Sequence, residues 1–92
     1  MPSKAFAACE ALYATYPQAA RPLGEPDPGD PDRTMPISLG GRPHDLVRHV
    51  FQGQRVFYRL YPAGAGRGTE IQRDGRVAAE VEQMLAVARP LR

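Results

Sequence analysis

Residues 45–61 read DLVRHVFQGQRVFYRLY, and the structure of this stretch decides the fold. Its second half, Arg55–Tyr61, is rich in β-branched and aromatic residues, which predicts a β-strand. Its first half is ambiguous, because the apolar residues of 46–51 fit a helical stripe as well as a strand that enters a tight turn. We prefer a hairpin that turns at Gln52-Gly53, since the two halves then pair with each other.

Alternation along this hairpin predicts two faces of different chemistry. One face collects apolar side chains and is expected to pack on the core. The other combines arginine with aromatic rings and is the candidate binding surface. The predicted core face holds Val47, Phe51, Val56, Tyr58 and Leu60, and the predicted binding face holds Arg48, Arg55, Phe57, Arg59 and Tyr61.

Segment 1–16 predicts an amphipathic helix. Apolar residues recur at steps of three and four from Phe6 to Tyr16, and most of the other positions are alanine. Ser3 is the predicted N-cap, and Pro17 is the predicted stop.

Residues 17–33 predict a proline-rich, acidic linker, because proline neither continues a helix nor donates to a β-ladder. Residues 1–32 hold two bases and five acids, a net charge of −3, whereas residues 33–92 hold ten arginines and five acids, a net charge of +5. We hypothesise that the linker folds over the arginine face and competes with an anionic ligand. Its acidic residues are Glu25, Asp27, Asp30 and Asp32.

Residues 34–73 predict an antiparallel sheet of three to four strands, in which Pro36 confines the first strand to an edge or a bulge. Residues 74–89 fit either a strand after an Asp74-Gly75 turn or a helix with an apolar stripe. Their Ala, Glu, Gln, Met and Leu content favours a helix, capped by Asp74 and ended by Pro90.

The predicted fold class is α+β: an N-terminal helix, a Pro-rich linker, the sheet and a C-terminal helix, with both helices packed on one face of the sheet. Residues 1–92 are expected to form one domain, because a chain of this length cannot divide its core. So small a core has a thin stability margin, which favours a homodimer or a bound partner.

Composition indicates a source and a compartment. Of the twelve basic residues only Lys4 is a lysine, and Ala, Gly and Pro are frequent, a pattern typical of a high-GC bacterium, its phage or its plasmid. The single Cys9 cannot form an internal disulfide or complete a zinc site with the two histidines, which predicts a cytoplasmic setting. We expect no signal peptide, membrane span or cofactor.

No convincing catalytic constellation is evident in the sequence. His44 and His49 are five residues apart, a spacing that does not bring two imidazoles to one face, so we expect no metal site. The pair His49 and Tyr58 comes nearest to an acid–base arrangement, although His49 is more typical of a half-buried sheet residue. The loop Gly64–Gly68 has the glycine content of a phosphate-binding loop but no Lys-Ser/Thr after it.

The predicted binding face supports two interpretations. Arginine beside aromatic rings is typical of a single-stranded nucleic-acid platform. It is equally typical of a solvated sheet face on which aromatic neighbours cover arginine stems.

The strand Arg55-Val56-Phe57-Tyr58-Arg59 resembles the central strand of the RelE/ParE family of small bacterial toxins, over about seven residues. The resemblance implies a twisted antiparallel sheet behind N-terminal helices, with Arg55, Tyr58 and Arg59 as candidates for RNA contact. The residues themselves favour a small non-catalytic binding or regulatory module with a protein or nucleic-acid partner, such as a phage- or plasmid-type inhibitor. A RelE/ParE-like ribonuclease toxin is the alternative.

Overall fold

The computed structural model describes residues 2–15, 21–22, 33–52, 55–63 and 66–91. These ranges contain two helices and six short to medium strands. The elements are α1 (Lys4–Thr15), β1 (Arg21–Pro22), β2 (Arg33–Leu39), β3 (Arg42–Phe51), β4 (Arg55–Pro62), β5 (Thr69–Ile71), α2 (Ala79–Ala86) and β6 (Arg89–Pro90).

The strands form one antiparallel sheet in the order β1-β2-β3-β4-β5, and β6 also pairs with β2. The α+β fold class is therefore confirmed. Residues 44–51 pair with residues 55–62, so the ambiguous first half of the hairpin is a strand, as preferred from the sequence. Neither helix within the described ranges is long and apolar enough to cross a membrane.

The first helix begins as predicted. The backbone N–H of Phe6 donates to the Ser3 hydroxyl at 3.2 Å, so Ser3 satisfies one of the free donors of the first turn. The buried side of α1 packs on the sheet through residues that include Phe6, Cys9 and Tyr13. Tyr16, Pro17 and most of the predicted linker lie outside the described residues, but residues 21–22 pair with β2 and Arg33 begins it.

The second helix is shorter than predicted at both ends. It begins at Ala79 rather than at residue 74, and residues 75–78 are not helical. The N-cap is Ala78, with an extended ψ of 140°, and not Asp74. It ends at Ala86, well before Pro90, which instead pairs with Ile37 of β2. This pairing lets the chain beyond α2 extend the sheet.

One hydrophobic cluster joins both helices to one face of the sheet. Leu85 of α2 is buried in the same cluster as Phe6 of α1 and Tyr58 of β4. Gly40 and Gly41 form the turn between β2 and β3, with positive φ angles at both glycines. At Gly40 the φ of 59° favours glycine, and a Cβ there would lie 2.9 Å from the Met84 Sδ, so α2 packs closely over this turn.

Candidate functional site

The register of the β3–β4 hairpin decides which side chains face the helices. Leu46 lies opposite Leu60, and both are buried in the core. Residues one position along each strand point to the other side of the sheet, which we call the open face. The cross-strand pairs of the open face are Asp45–Tyr61, Val47–Arg59, His49–Phe57 and Phe51–Arg55.

This register corrects three sequence assignments. Val47 and Phe51, predicted on the core face, lie on the open face, where Val47 is nevertheless buried at 4% exposure and Phe51 is 52% exposed. Arg48, predicted on the binding face, lies opposite Tyr58 on the helix-covered face. The cause is the turn: a two-residue turn at Gln52-Gly53 would pair Phe51 with residue 54. The observed pairing with Arg55 leaves three residues between the strands. A shift of one residue moves every side chain of one strand to the opposite face.

Arg55, Phe57, Arg59 and Tyr61 do share the open face, and Phe57 lies at the centre of their contacts. The imidazole of His49 stacks on the Phe57 ring, with centroids 4.9 Å apart and planes 24° apart. The Arg59 guanidinium carbon lies 5.4 Å from the centroid of the same ring, within cation–π range.

The Arg59 guanidinium is held in place from two sides. It hydrogen-bonds to the Tyr61 side chain and donates to the Glu70 carboxylate at 3.3 Å, and these contacts raise its pKa. The Glu70 carboxylate also accepts from the Gln72 amide, and the two contacts lower the pKa of Glu70. The Arg59 side chain nevertheless stays 43% exposed, so it can meet a ligand without being reorganised.

The margins of the open face differ in exposure. Arg55 is exposed, and its cross-strand partner Phe51 is 52% exposed. Tyr61 is half-buried, because the backbone at Gly68 approaches its ring so closely that a Cβ there would lie 2.8 Å from a ring carbon. The accessible part of the face is therefore the Arg55 end.

A cleft of about 580 Å³ opens at this end. Among the described strands, β5 pairs only with residues 58–60, so the sheet edge at residues 55–57 is left uncovered. The cleft lies along this edge and is bounded by α1 on one side and by residues 72–74 on the other. Phe57 and Arg55 line it and also belong to the open face.

Tyr58 cannot contact RNA, contrary to the expectation from the family resemblance. Its side chain is 1% exposed and packs edge-on against Phe6, with ring centroids 5.2 Å apart, and at a tilt against Tyr13 at 5.6 Å. Burial raises its pKa to about 12. His49 lies on the open face, so the two residues considered for acid–base chemistry are on opposite sides of the sheet.

The other candidate groups bring no reactive site together. Cys9 is buried in the core, as its place on the apolar stripe predicts, and burial raises its pKa to about 12. His44 and His49 point to opposite faces of β3. The described residues contain no cluster of three groups that could ligate a metal. The four linker acids, with Gly64 and Ala65 of the glycine loop, lie outside the described residues.

Three contributors to the site were missed from the sequence: His49 and Phe51, which the register places on the open face, and Glu70, which holds Arg59. The alternation of the short strand 69–71 would have pointed to Glu70, had its pairing with β4 been known. Comparison with protein-family models, with curated proteins and with solved structures finds no significant match.

Proposed function

We propose that this chain is a small non-catalytic binding or regulatory module that engages a macromolecular partner through the open face of its sheet. The observation that carries the proposal is the arrangement around Phe57, where His49 and Arg59 contact one ring on the face of the sheet that lies opposite the helices. Arginine and aromatic residues are the side chains that most often dominate binding energy at interfaces.

The contacts of Arg59 make this surface suited to binding. Immobilising a long side chain on association costs conformational entropy. The bonds of Arg59 to Tyr61 and Glu70 fix the guanidinium before a partner arrives, so part of that cost is already met within the fold. Arg55 provides a second exposed cation on the same strand.

The non-catalytic part of the proposal is supported by the separation of the candidate reactive groups. His49 and Tyr58 occupy opposite faces, and the Cys9 thiol is buried with a raised pKa. The ribonuclease alternative loses Tyr58 as an RNA contact. The ribonuclease alternative predicts that expression of the chain arrests growth and degrades bulk RNA. The binding proposal predicts neither effect.

Affinity capture from an extract of the organism that encodes the chain tests the proposal. The wild type is expected to retain a defined macromolecule that Arg55→Gln/Arg59→Gln loses. The matched control Arg42→Gln/Arg76→Gln removes the same charge from exposed positions outside β4 and should retain it. Equal retention by both double variants, or no specific retention by the wild type, would contradict the proposal.

A further inference from the structure

The cleft beside the open face has the size and lining of a ligand site. Its volume of about 580 Å³ falls within the range of roughly 300–1,000 Å³ typical of small-molecule sites. Its apolar lining comes from Phe51 of β3, which is 52% exposed, from the half-buried Val56 and Phe57 of β4, and from the buried Phe6 of α1. A flat aromatic group would find partners for stacking here.

The polar groups around the cleft are of two kinds. Arg55 and Arg73 are exposed and bring guanidinium groups to its lining. Glu10 and Asp74 bring exposed carboxylates, which accept hydrogen bonds, whereas Glu70 is already engaged by Gln72 and Arg59. The cleft thus combines guanidinium groups that can bind an anion, carboxylates that can accept hydrogen bonds from amino groups, and aromatic side chains.

From this combination we infer that the macromolecular partner is single-stranded nucleic acid, with one base seated in the cleft and the adjoining phosphates on Arg55 and Arg73. The inference rests on the proposed function, because Arg55 and Phe57 belong to both surfaces. Aromatic rings bind unpaired bases by stacking, and guanidinium groups bind phosphate in bidentate fashion.

The hydrogen-bonding groups of the cleft favour this occupant. The lining of the cleft holds two arginines, Arg55 and Arg73, and three acids, Glu10, Glu70 and Asp74. Its attraction for phosphate therefore comes from the two exposed guanidinium groups and from the surrounding residues 33–92, whose net charge is +5. The carboxylates of Glu10 and Asp74 match the exocyclic amino groups of cytosine, adenine and guanine, which uracil and thymine lack. The site should therefore prefer bases that carry an amino group. A duplex keeps its bases stacked and paired and should bind poorly.

Fluorescence anisotropy with labelled ten-nucleotide strands of oligo-cytidine and oligo-uridine tests this inference on the full chain. We expect the oligo-cytidine strand to bind more tightly than both oligo-uridine and a duplex. Cytidine monophosphate serves as competitor: displacement of the strand at micromolar concentration would identify a free nucleotide, not a strand, as the ligand and would overturn the inference.

Variants then locate the contact. Arg73→Gln should raise the Kd by about tenfold and lower the slope of log Kd against log salt by about 0.7, the share of one phosphate contact on a single strand. Phe51→Ala should raise the Kd by roughly tenfold with the salt slope unchanged, because stacking is not electrostatic. Arg42→Gln, with the same loss of charge on an exposed side chain, should change the Kd by less than about twofold.

The inference would also be overturned by no strand binding at low salt, or by equal weakening by Arg42→Gln and Arg73→Gln, which would indicate non-specific attraction. Capture of a defined protein that depends on Arg55 and Arg59 but not on Arg73 would also overturn it and leave the proposed function standing. Capture that is independent of Arg55 and Arg59 would instead refute the proposed function itself. Circular dichroism of each variant verifies that the fold is retained.

Discussion

Replacement of Tyr58 by alanine is expected to destabilise the domain by about 3–5 kcal/mol, the range for removing a large buried aromatic side chain. Tyr58 is 1% exposed and connects the sheet to α1 through the rings of Phe6 and Tyr13. Small domains have unfolding free energies of roughly 5–15 kcal/mol, so the substitution should remove a large fraction of the stability of the domain. Urea denaturation followed by circular dichroism measures the loss.

The neighbouring residue is the matched control, because Phe57 lies on the same strand but on the open face. Phe57→Ala leaves the helix packing intact and removes only the ring contacts with His49 and Arg59. It should therefore lower the free energy of unfolding by no more than about 1–2 kcal/mol. Equal destabilisation by the two variants would mean that the open face is as fully packed as the core, which contradicts the assignment of the two faces.

The stability of the domain should fall steeply above pH 9. Burial raises the pKa of Cys9 from 9.0 and of Tyr58 from 10.0, each to about 12, and also raises the pKa of Tyr13. These groups then ionise in the unfolded chain before they ionise in the folded one. Each contributes full stability below its unfolded pKa and loses about 1.4 kcal/mol per pH unit above it, until its folded pKa is reached.

By pH 11 the three groups together should remove on the order of 5 kcal/mol, measured as the free energy of unfolding in urea between pH 8 and 11. Cys9→Ala removes the group that titrates first. The variant should be slightly less stable at pH 8 but lose stability more slowly from pH 9 upward. A difference between variant and wild type that stays constant from pH 8 to 11 would show that the thiol ionises equally in both states.

Local chemistry was enough to predict most elements of the fold. The Ser3 cap, the apolar spacing of α1 and the β-branched content of 55–61 each act within a few residues, and the structure agrees with all three. The predicted start of α2 was wrong because helix propensity is a local property. It does not show that residues 75–78 connect the sheet to the helical layer, with half-buried Val77 packed against the core. Pro90 was misassigned because its pairing with β2 is a long-range contact.

The binding face was predicted only in part, because the length of the turn between β3 and β4 was not known. Alternation within β4 depends on that strand alone, so Arg55, Phe57, Arg59 and Tyr61 were grouped correctly. Arg48 lies on β3, and its face depends on the number of residues in the turn between the strands. The cleft combines residues of two strands, a helix and a turn, which no sequence pattern brings together.

Site-specific photo-crosslinking most directly tests whether the open face is the binding surface. Benzoylphenylalanine is placed at Phe57 on the open face or, in a second protein, at the exposed Gln83 of α2. After irradiation in extract from the encoding organism, we predict a discrete adduct from position 57 that Arg55→Gln/Arg59→Gln abolishes, and none from position 83. A discrete adduct from position 83 with none from position 57 would place the partner on the helical side and contradict the account.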